Sequence, residues 1–340
     1  MKKIMMTLAA VLCCAMISTV FIACSVNDDN PVDPGNNEEN WNPNNNVFPY
    51  THNGQTLYYR LKTDSLTKQT YAICSYPTLT PTTLETLWDG YEKPMGDVEI
   101  PGTVVYNGHS YPVLDIGRCA FIYCDEITNV AIPEGVFKLG NGVFAYCSAL
   151  QSVSLPSTLV TIDDYAFYLD SLMTEITIPQ NVTTLGHSAF RTCTRLASVT
   201  LPDEMTSIGK WCFADDSLLT AITLPVGIDS IGEGTFYNCK GLTAITVPEG
   251  VKTIGNTAFT YCPGLKTIKL PQSLTEIGEF VFYGSEDIEA ITLASTTPPS
   301  VLVRPFTSYN ATLYVPVGTI DLYRQHSLWG KFANIVEGTN

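Results

Sequence analysis

The sequence predicts a β-rich solenoid of about eight 23-residue coils, on two observations. Phenylalanine recurs every 23 residues, and proline recurs with the same period in a second column. In a solenoid each residue lies over its counterpart in the next coil, whereas a globular fold gives no reason for such spacing. The columns are Phe121, Phe144, Phe167, Phe190, Phe213, Phe236, Phe259 and Phe282, and Pro133, Pro156, Pro179, Pro202, Pro225, Pro248 and Pro271.

The acidic composition bears on which classes of molecule the protein can bind. The chain has 340 residues, with 33 acidic and 18 basic side chains, for a net charge of -15. Such a surface repels phosphate backbones and anionic lipid headgroups, so we expect no nucleic-acid partner.

The N-terminal segment has the features of an export signal. Residues 1–23 combine Lys2 and Lys3 with a long apolar run, and we interpret them as a signal peptide. A transmembrane anchor is the alternative, because the run approaches the length of a bilayer span. The stretch Phe21-Ile22-Ala23-Cys24 resembles a bacterial lipobox, which implies acylation of Cys24 and an outer-membrane lipoprotein with no other membrane contact. Residues 24–46 are rich in Asn, Pro, Asp and Glu, and we predict a disordered tether.

The next segment, 47–113, lacks the 23-residue period. Short β-favouring runs alternate with Asn53-Gly54 and Asn107-Gly108, two dipeptides typical of tight hairpin turns. We predict a small antiparallel N-terminal β cap, which would cover the apolar end of the first coil.

The repeat array spans 114–294. In each unit apolar residues lie three and one positions before the proline, as Ile245 and Val247 do before Pro248, so each unit predicts a strand with one face inward. Proline ends the strand because it has no N–H to donate. A glycine ends the next apolar run in every unit but one, where Asp163 replaces it, and we predict a left-handed backbone there. Residues 295–340 lose the period and form the predicted C-terminal cap, with strands at 312–316 and 334–337 and a helix within 319–332.

Cysteine is the residue type that most suggests chemistry. Five cysteines lie three positions after the repeat phenylalanine, namely Cys124, Cys147, Cys193, Cys239 and Cys262. Their wide spacing lacks the clustering of a metal site, and we interpret them as a buried column of small side chains, with bridges between adjacent coils left open. Histidines are scattered and no catalytic motif is present, so we expect no enzyme, cofactor or metal.

The repeat unit L-x-x-I-x-[IL]-P-x-x-V-x-x-I-G-x-x-A-F-x-x-C resembles the BspA-type leucine-rich repeat of bacterial surface proteins. The resemblance implies a curved right-handed array with one parallel strand per coil. It also implies a role in adhesion or in binding host, matrix or other surface proteins.

Two sets of residues are candidates for ligand contact. One set points outward from the predicted strands: Ser154, Glu175, Thr177, Thr200, Thr223, Thr246, Lys266, Lys269 and Glu289. Exposed threonine also suits any parallel strand, so a purely structural role remains the alternative. The second set is an aromatic edge after the phenylalanine, formed by Tyr123, Tyr146, Tyr168, Tyr237 and Tyr261, for which half-buried packing is the alternative. We therefore predict an outer-membrane lipoprotein that binds protein; a glycan-binding module and a passive spacer are the other hypotheses.

Overall fold

The structure is a computed structural model, which describes residues 47–78 and 83–338. The predicted signal peptide, the predicted lipid attachment at Cys24 and the predicted tether lie outside the described residues.

The cap strands are built around the two predicted turns. Asn53-Gly54 and Asn107-Gly108 adopt positive φ and close antiparallel hairpins, which confirms both turns. The cap is antiparallel only in part, because Thr70–Ser75 pairs with His109–Ile116 in parallel, and Gly96–Glu99 pairs with the first array strand in parallel. Its strands are β1 (Phe48–His52), β2 (Gln55–Thr63), β3 (Thr70–Ser75), β4 (Gly96–Glu99), β5 (Thr103–Tyr106) and β6 (His109–Ile116), with a 3₁₀ turn at Leu84–Trp88.

Beyond the cap the chain winds into a β-solenoid of about ten turns, as the repeat predicted. The strands are β7 (Ile127–Ala131), β8 (Lys138–Leu139), β9 (Ser152–Ser154), β10 (Thr161–Ile162), β11 (Glu175–Thr177), β12 (Thr184–Leu185), β13 (Ser198–Thr200), β14 (Ser207–Ile208), β15 (Ser230–Ile231), β16 (Ala244–Thr246), β17 (Thr253–Ile254), β18 (Thr267–Leu270), β19 (Glu276–Ile277), β20 (Ala290–Leu293), β21 (Ser300–Val301), β22 (Thr312–Val315) and β23 (Asn334–Glu337). Helix α1 (Ile320–Gln325) and a 3₁₀ turn at Trp329–Lys331 lie between β22 and β23.

Each coil has three sides. The first side carries the strand that precedes the proline. We call the outward surface of this side the strand face. It consists of the outward residues of β7, β9, β11, β13, the segment 221–223, β16, β18 and β20. The second side carries a two-residue strand, as where Ile231 of β15 pairs with Ile254 of β17. The third side is a run of turns, which bonds to the next coil through alternate residues; the Phe121 N–H, for example, donates to the Val143 carbonyl at 2.8 Å.

The strand face is less continuous than the repeat predicted. It divides into sheets β4-β7-β9, β11-β13 and β16-β18-β20-β22-β23, and residues 221–223, though described, join none of them. The second side is also interrupted, between β14 and β15. The turn side continues across the same junction, where Phe213 N–H donates to Thr235 O at 3.0 Å. Ile222 is consequently only partly buried, while its counterpart Ile245 is 2% exposed.

The phenylalanine column is the spine of the core. All eight residues are buried, and neighbouring rings lie 5.1–5.7 Å apart between centroids with interplanar angles of 8–16°. Because each ring buries against the ring of the next coil, stability comes from stacking coils rather than from any coil alone.

The prediction of a left-handed backbone at the repeat glycine is wrong. Gly209 and Gly255 do not have positive φ. A Cβ at Gly209 would lie 2.3 Å from the Gly186 carbonyl oxygen, and one at Gly255 would lie 2.7 Å from the Glu233 nitrogen. Glycine is required at this corner because the backbones of consecutive coils approach closely. Positive φ occurs instead on the turn side, two residues before and two residues after the phenylalanine, as at Trp211 and Asp215.

The cysteine column is buried, as predicted, and its thiols are free. From the second coil onward each thiol donates to the phenylalanine carbonyl 26 residues earlier, as Cys147 does to Phe121 at 3.0 Å and Cys262 does to Phe236 at 3.1 Å. Cysteine suits this column because its side chain is apolar enough to be buried and its S–H group is a weak hydrogen-bond donor. The inter-coil bridges that the sequence left open are absent among the described cysteines.

Candidate functional site

The strand face is an uncovered surface. Its outward residues Ser154, Thr177, Thr200, Thr223 and Thr246 are exposed. The alternate positions face the core, as the strand period requires; Ile176 and Val199, for example, are 5% and 8% exposed. Adjacent rows lie about 4.8 Å apart where the strands pair. The result is a row of hydroxyl groups with Glu175 beside it, also exposed.

Charge gathers at the C-terminal end of this face. Lys266 lies 3.4 Å from Asp287 and 3.7 Å from Glu289, measured between the ammonium nitrogen and a carboxylate oxygen. Lys269, three residues after Lys266, is exposed on β18. The four groups are solvated, so they contribute little to stability and form a mixed-charge patch beside the threonine row.

The candidate aromatic edge consists of two columns rather than one. Tyr123, Tyr146 and Tyr261 lie two residues after the repeat phenylalanine, where φ is positive, and are partly exposed. Tyr168 and Tyr237 lie one residue after it. Most side chains in that second column are buried.

Tyr168 is therefore corrected as a surface candidate, since only 4% of it is exposed. Its ring packs edge-on against Tyr146, with the centroids 5.5 Å apart. Tyr237 is partly exposed and contacts Tyr261 in the same way at 5.7 Å.

A cleft of about 490 Å³ lies where the cap meets the first three coils. Its floor has two rows from consecutive coils. One row carries Tyr123, Tyr146 and Leu169, and the other carries Asp125, Ser148 and Ser171. Glu85 and Lys93 from the cap form its wall. Sequence reasoning missed the wall because the cap has no repeat that aligns it with the array, and it did not single out Asp125.

The cleft is tied to the cap by a few polar contacts. The Lys93 ammonium donates to the Tyr123 carbonyl oxygen at 2.6 Å and lies 3.8 Å from an Asp125 carboxylate oxygen. Tyr123 and Tyr146 stack with centroids 4.5 Å apart and rings inclined by 22°. The cap and the first two coils therefore hold the floor of the cleft in one arrangement.

The described residues lack the features of two other kinds of site. Across 47–78 and 83–338, no three His, Cys, Asp or Glu side chains converge in a way that would hold a metal ion. In the same part of the chain, no helix has both the length and the apolar character to cross a bilayer.

Two solved structures are similar to this chain, and the first of them supports the fold. A leucine-rich repeat protein from Bacteroides ovatus has a TM-score of 0.56 and 21% sequence identity, covering 82% of this chain and 75% of that one. A leucine-rich repeat protein of T. pallidum has a TM-score of 0.46 and 21% identity, covering 68% of this chain and 87% of that one. Among curated proteins, the comparison found no match.

Comparison with family models covers the array itself. The model of the BspA type leucine rich repeat region matches residues 114–239 and 212–300, with six copies. Together the matches span 114–300, which is more than half of the 340 residues. The stacked phenylalanines, the buried cysteine column and the inter-coil glycines all lie within this span. The chain therefore belongs to the BspA-type leucine-rich repeat family.

Proposed function

We propose that this protein is an exported, lipid-anchored surface protein that uses its strand face to bind another protein. The observation that carries the proposal is the uncovered row of outward side chains from Ser154 to Lys269, on strands whose alternate residues pack in or against the core. Proteins of this repeat family are bacterial surface proteins, and the repeat is a scaffold type rather than an enzyme type.

The chemistry of the strand face favours a protein ligand. Hydroxyl groups at Thr177, Thr200, Thr223 and Thr246 both donate and accept hydrogen bonds, and they carry little side-chain entropy to lose on binding. The mixed charges around Lys266 would steer an oppositely patterned partner and set its register. The six strand positions from Ser154 to Lys269 span roughly 24 Å, which is close to the width of a standard protein interface of about 800 Å² per partner.

The binding proposal is tested with charges placed on the strand face. A protein ligand is first sought by screening the soluble 25–340 fragment against purified matrix and serum proteins. The double variant Thr200→Arg with Thr246→Arg should then abolish capture of that ligand. The matched control is Thr184→Arg with Thr253→Arg, two exposed threonines on strands of the second side. Both pairs add the same charge. If both double variants lost ligand capture equally, the strand face would not be the binding surface. If the screen found no ligand at all, the result would favour a passive spacer.

Membrane anchoring is tested separately in cells. Cys24→Ser should remove the acyl mass from the mature protein and release it from the membrane fraction. Protease treatment of intact cells then reports whether the array is on the external face. If Cys24→Ser leaves both mass and fractionation unchanged, the lipid anchor is wrong, whatever the strand face binds.

A further inference from the structure

We propose that the cleft between the cap and the first three coils binds a neutral oligosaccharide. This inference concerns a different surface from the strand face and does not depend on the protein-binding proposal. The cleft volume of about 490 Å³ lies within the range of about 300–1,000 Å³ that is usual for small-ligand sites. Such sites also occur preferentially where two structural units meet, as the cap and the array do here.

The wall of the cleft is firmly anchored. Glu85 is exposed on the 3₁₀ turn Leu84–Trp88, while Leu84, Leu87 and Trp88 of the same turn are 3–5% exposed and belong to the core. Pro94, directly after Lys93, is buried as well. The wall therefore requires little ordering when a ligand enters, which favours binding.

The lining groups exclude several ligand classes. The carboxylates of Glu85 and Asp125 repel phosphate and other anions. The Lys93 ammonium opposes a cationic ligand in the same space. A lipid chain would cover these three charged groups without giving them hydrogen bonds, which is costly.

A neutral sugar satisfies the same lining. Its hydroxyl groups donate to the Asp125 and Glu85 carboxylates and accept from the Lys93 ammonium and the Ser148 and Ser171 hydroxyls. Its apolar C–H faces pack against Leu169 and the tyrosine side chains, which combine an apolar body with a polar tip. The aromatic groups that a sugar site needs are thus on the turn side, not on the strand face, where the sequence contains none.

The repeat itself supplies matched controls for the test. Glu286 occupies the Asp125 position of a later coil, four residues after its phenylalanine, and Tyr261 occupies the Tyr146 position. Both lie far along the array from Glu85 and Lys93. Asp125→Asn and Glu286→Gln remove the same charge, and Tyr146→Leu and Tyr261→Leu remove the same ring, but only the first of each pair alters the cleft.

The experiment uses saturation-transfer NMR on the soluble 25–340 fragment with maltotetraose, cellotetraose and β-1,4-mannotetraose. We expect saturable binding of at least one of these probes, weakened about tenfold or more by Asp125→Asn, which removes a charge-assisted hydrogen bond. Tyr146→Leu should weaken it as well, whereas Glu286→Gln and Tyr261→Leu should bind as the parent does. A thermal melt of each variant separates loss of the site from loss of the fold.

Two outcomes would overturn the proposal. Either none of the three probes binds, or a probe binds equally well to the parent and to folded Asp125→Asn and Tyr146→Leu. The strand-face pair Thr200→Arg with Thr246→Arg should leave oligosaccharide binding unchanged, so failure here and failure of the protein-binding proposal are distinguished.

Discussion

Phe282 and Phe306 stack with ring centroids 5.2 Å apart and planes inclined by 11°, and their backbones form a parallel bridge. The geometry is that of the other phenylalanine pairs, although 24 residues separate these two instead of 23. β21 pairs with β19 across the same 24-residue step, as where Val301 lies opposite Ile277. The hydrophobic spine therefore continues past the last regular repeat into the C-terminal segment.

Phe306 should hold the C-terminal end of the array in place. It is 6% exposed and contacts Phe282, Tyr309, Trp329 and Phe332. We expect Phe306→Ala to cost about 3–5 kcal/mol of unfolding free energy through lost burial and a residual cavity. Hydrogen exchange should speed up first in 300–338. Val317→Ala, at a side chain that is 80% exposed, is the control; an effect of similar size there would contradict this account.

The repeat period predicted the array but not how it ends. Strict spacing identifies stacked positions only while no residue is inserted, and the single extra residue before Phe306 was enough to hide it. The predicted strands at 312–316 and 334–337 and the helix within 319–332 are present, as β22, β23 and α1. Thr319 precedes α1, but its hydroxyl donates to the Pro316 carbonyl rather than capping the helix.

Two isoleucines of one column should respond differently to a buried charge. Ile245 is 2% exposed and pairs in register with Ile268, whereas Ile222 is partly exposed where the strand face is interrupted. We expect Ile245→Asp to cost more than about 4 kcal/mol, because an unpaired carboxylate would be buried. Ile222→Asp should cost clearly less, since its carboxylate can reach water. Urea unfolding measures both, and an equal or larger loss at Ile222 would refute the interruption.

The repeat glycine should not tolerate a methyl group. In Gly209→Ala the new Cβ would lie 2.3 Å from the Gly186 carbonyl oxygen, so two coils would have to separate. We expect a loss of about 1–3 kcal/mol, as for overpacked cores. Gly102→Ala is the matched control, since its Cβ would lie 3.6 Å from Pro133, an ordinary contact. Thermal melting compares the two; a neutral Gly209→Ala would mean that close approach is not the reason for glycine.

The sequence predicted which residues of the strand face are exposed, but it did not predict which residues of the turn side are exposed. Outward positions on the strands follow from the two-residue period, so the exposure of Thr200 was predictable. Exposure on the turn side follows no such period, so Tyr146 and the buried Tyr168 were grouped together. The cleft combines Asp125 with Glu85, 40 residues earlier in a non-repeating cap, and neither periodicity nor local propensity places such residues together.

Asp170 replaces cysteine in the buried column and is itself fully buried. One carboxyl oxygen of Asp170 accepts a hydrogen bond from the Cys147 backbone N–H at 3.0 Å. The Ser285 hydroxyl, at the same position of a later coil, accepts a hydrogen bond from the Cys262 backbone N–H at 2.9 Å. The Ser285 hydroxyl also donates to the Phe259 carbonyl at 2.9 Å. The second oxygen of Asp170 is buried without a partner among the described residues. A proton on it would supply the donor that this column otherwise provides, toward the Phe144 carbonyl.

The stability of the array should therefore fall as pH rises. Burial raises the pKa of Asp170 well above its ordinary value, and Cys147 and Cys193 are the titratable groups that face it. A pKa that is higher in the folded chain contributes stability that is fully present below about pH 4 and is lost as pH rises toward the folded pKa. Asp170→Asn keeps both an acceptor and a donor without an ionisable proton. Above about pH 4, the unfolding free energy of Asp170→Asn should rise relative to that of the parent. The rise is about 1.4 kcal/mol for each pH unit over which the folded parent still holds the proton on Asp170. Urea titrations at pH 4, 6 and 8 measure this gain, with the exposed Asp203→Asn as control. Parallel pH profiles for the parent and Asp170→Asn would show that the buried carboxyl does not carry a proton.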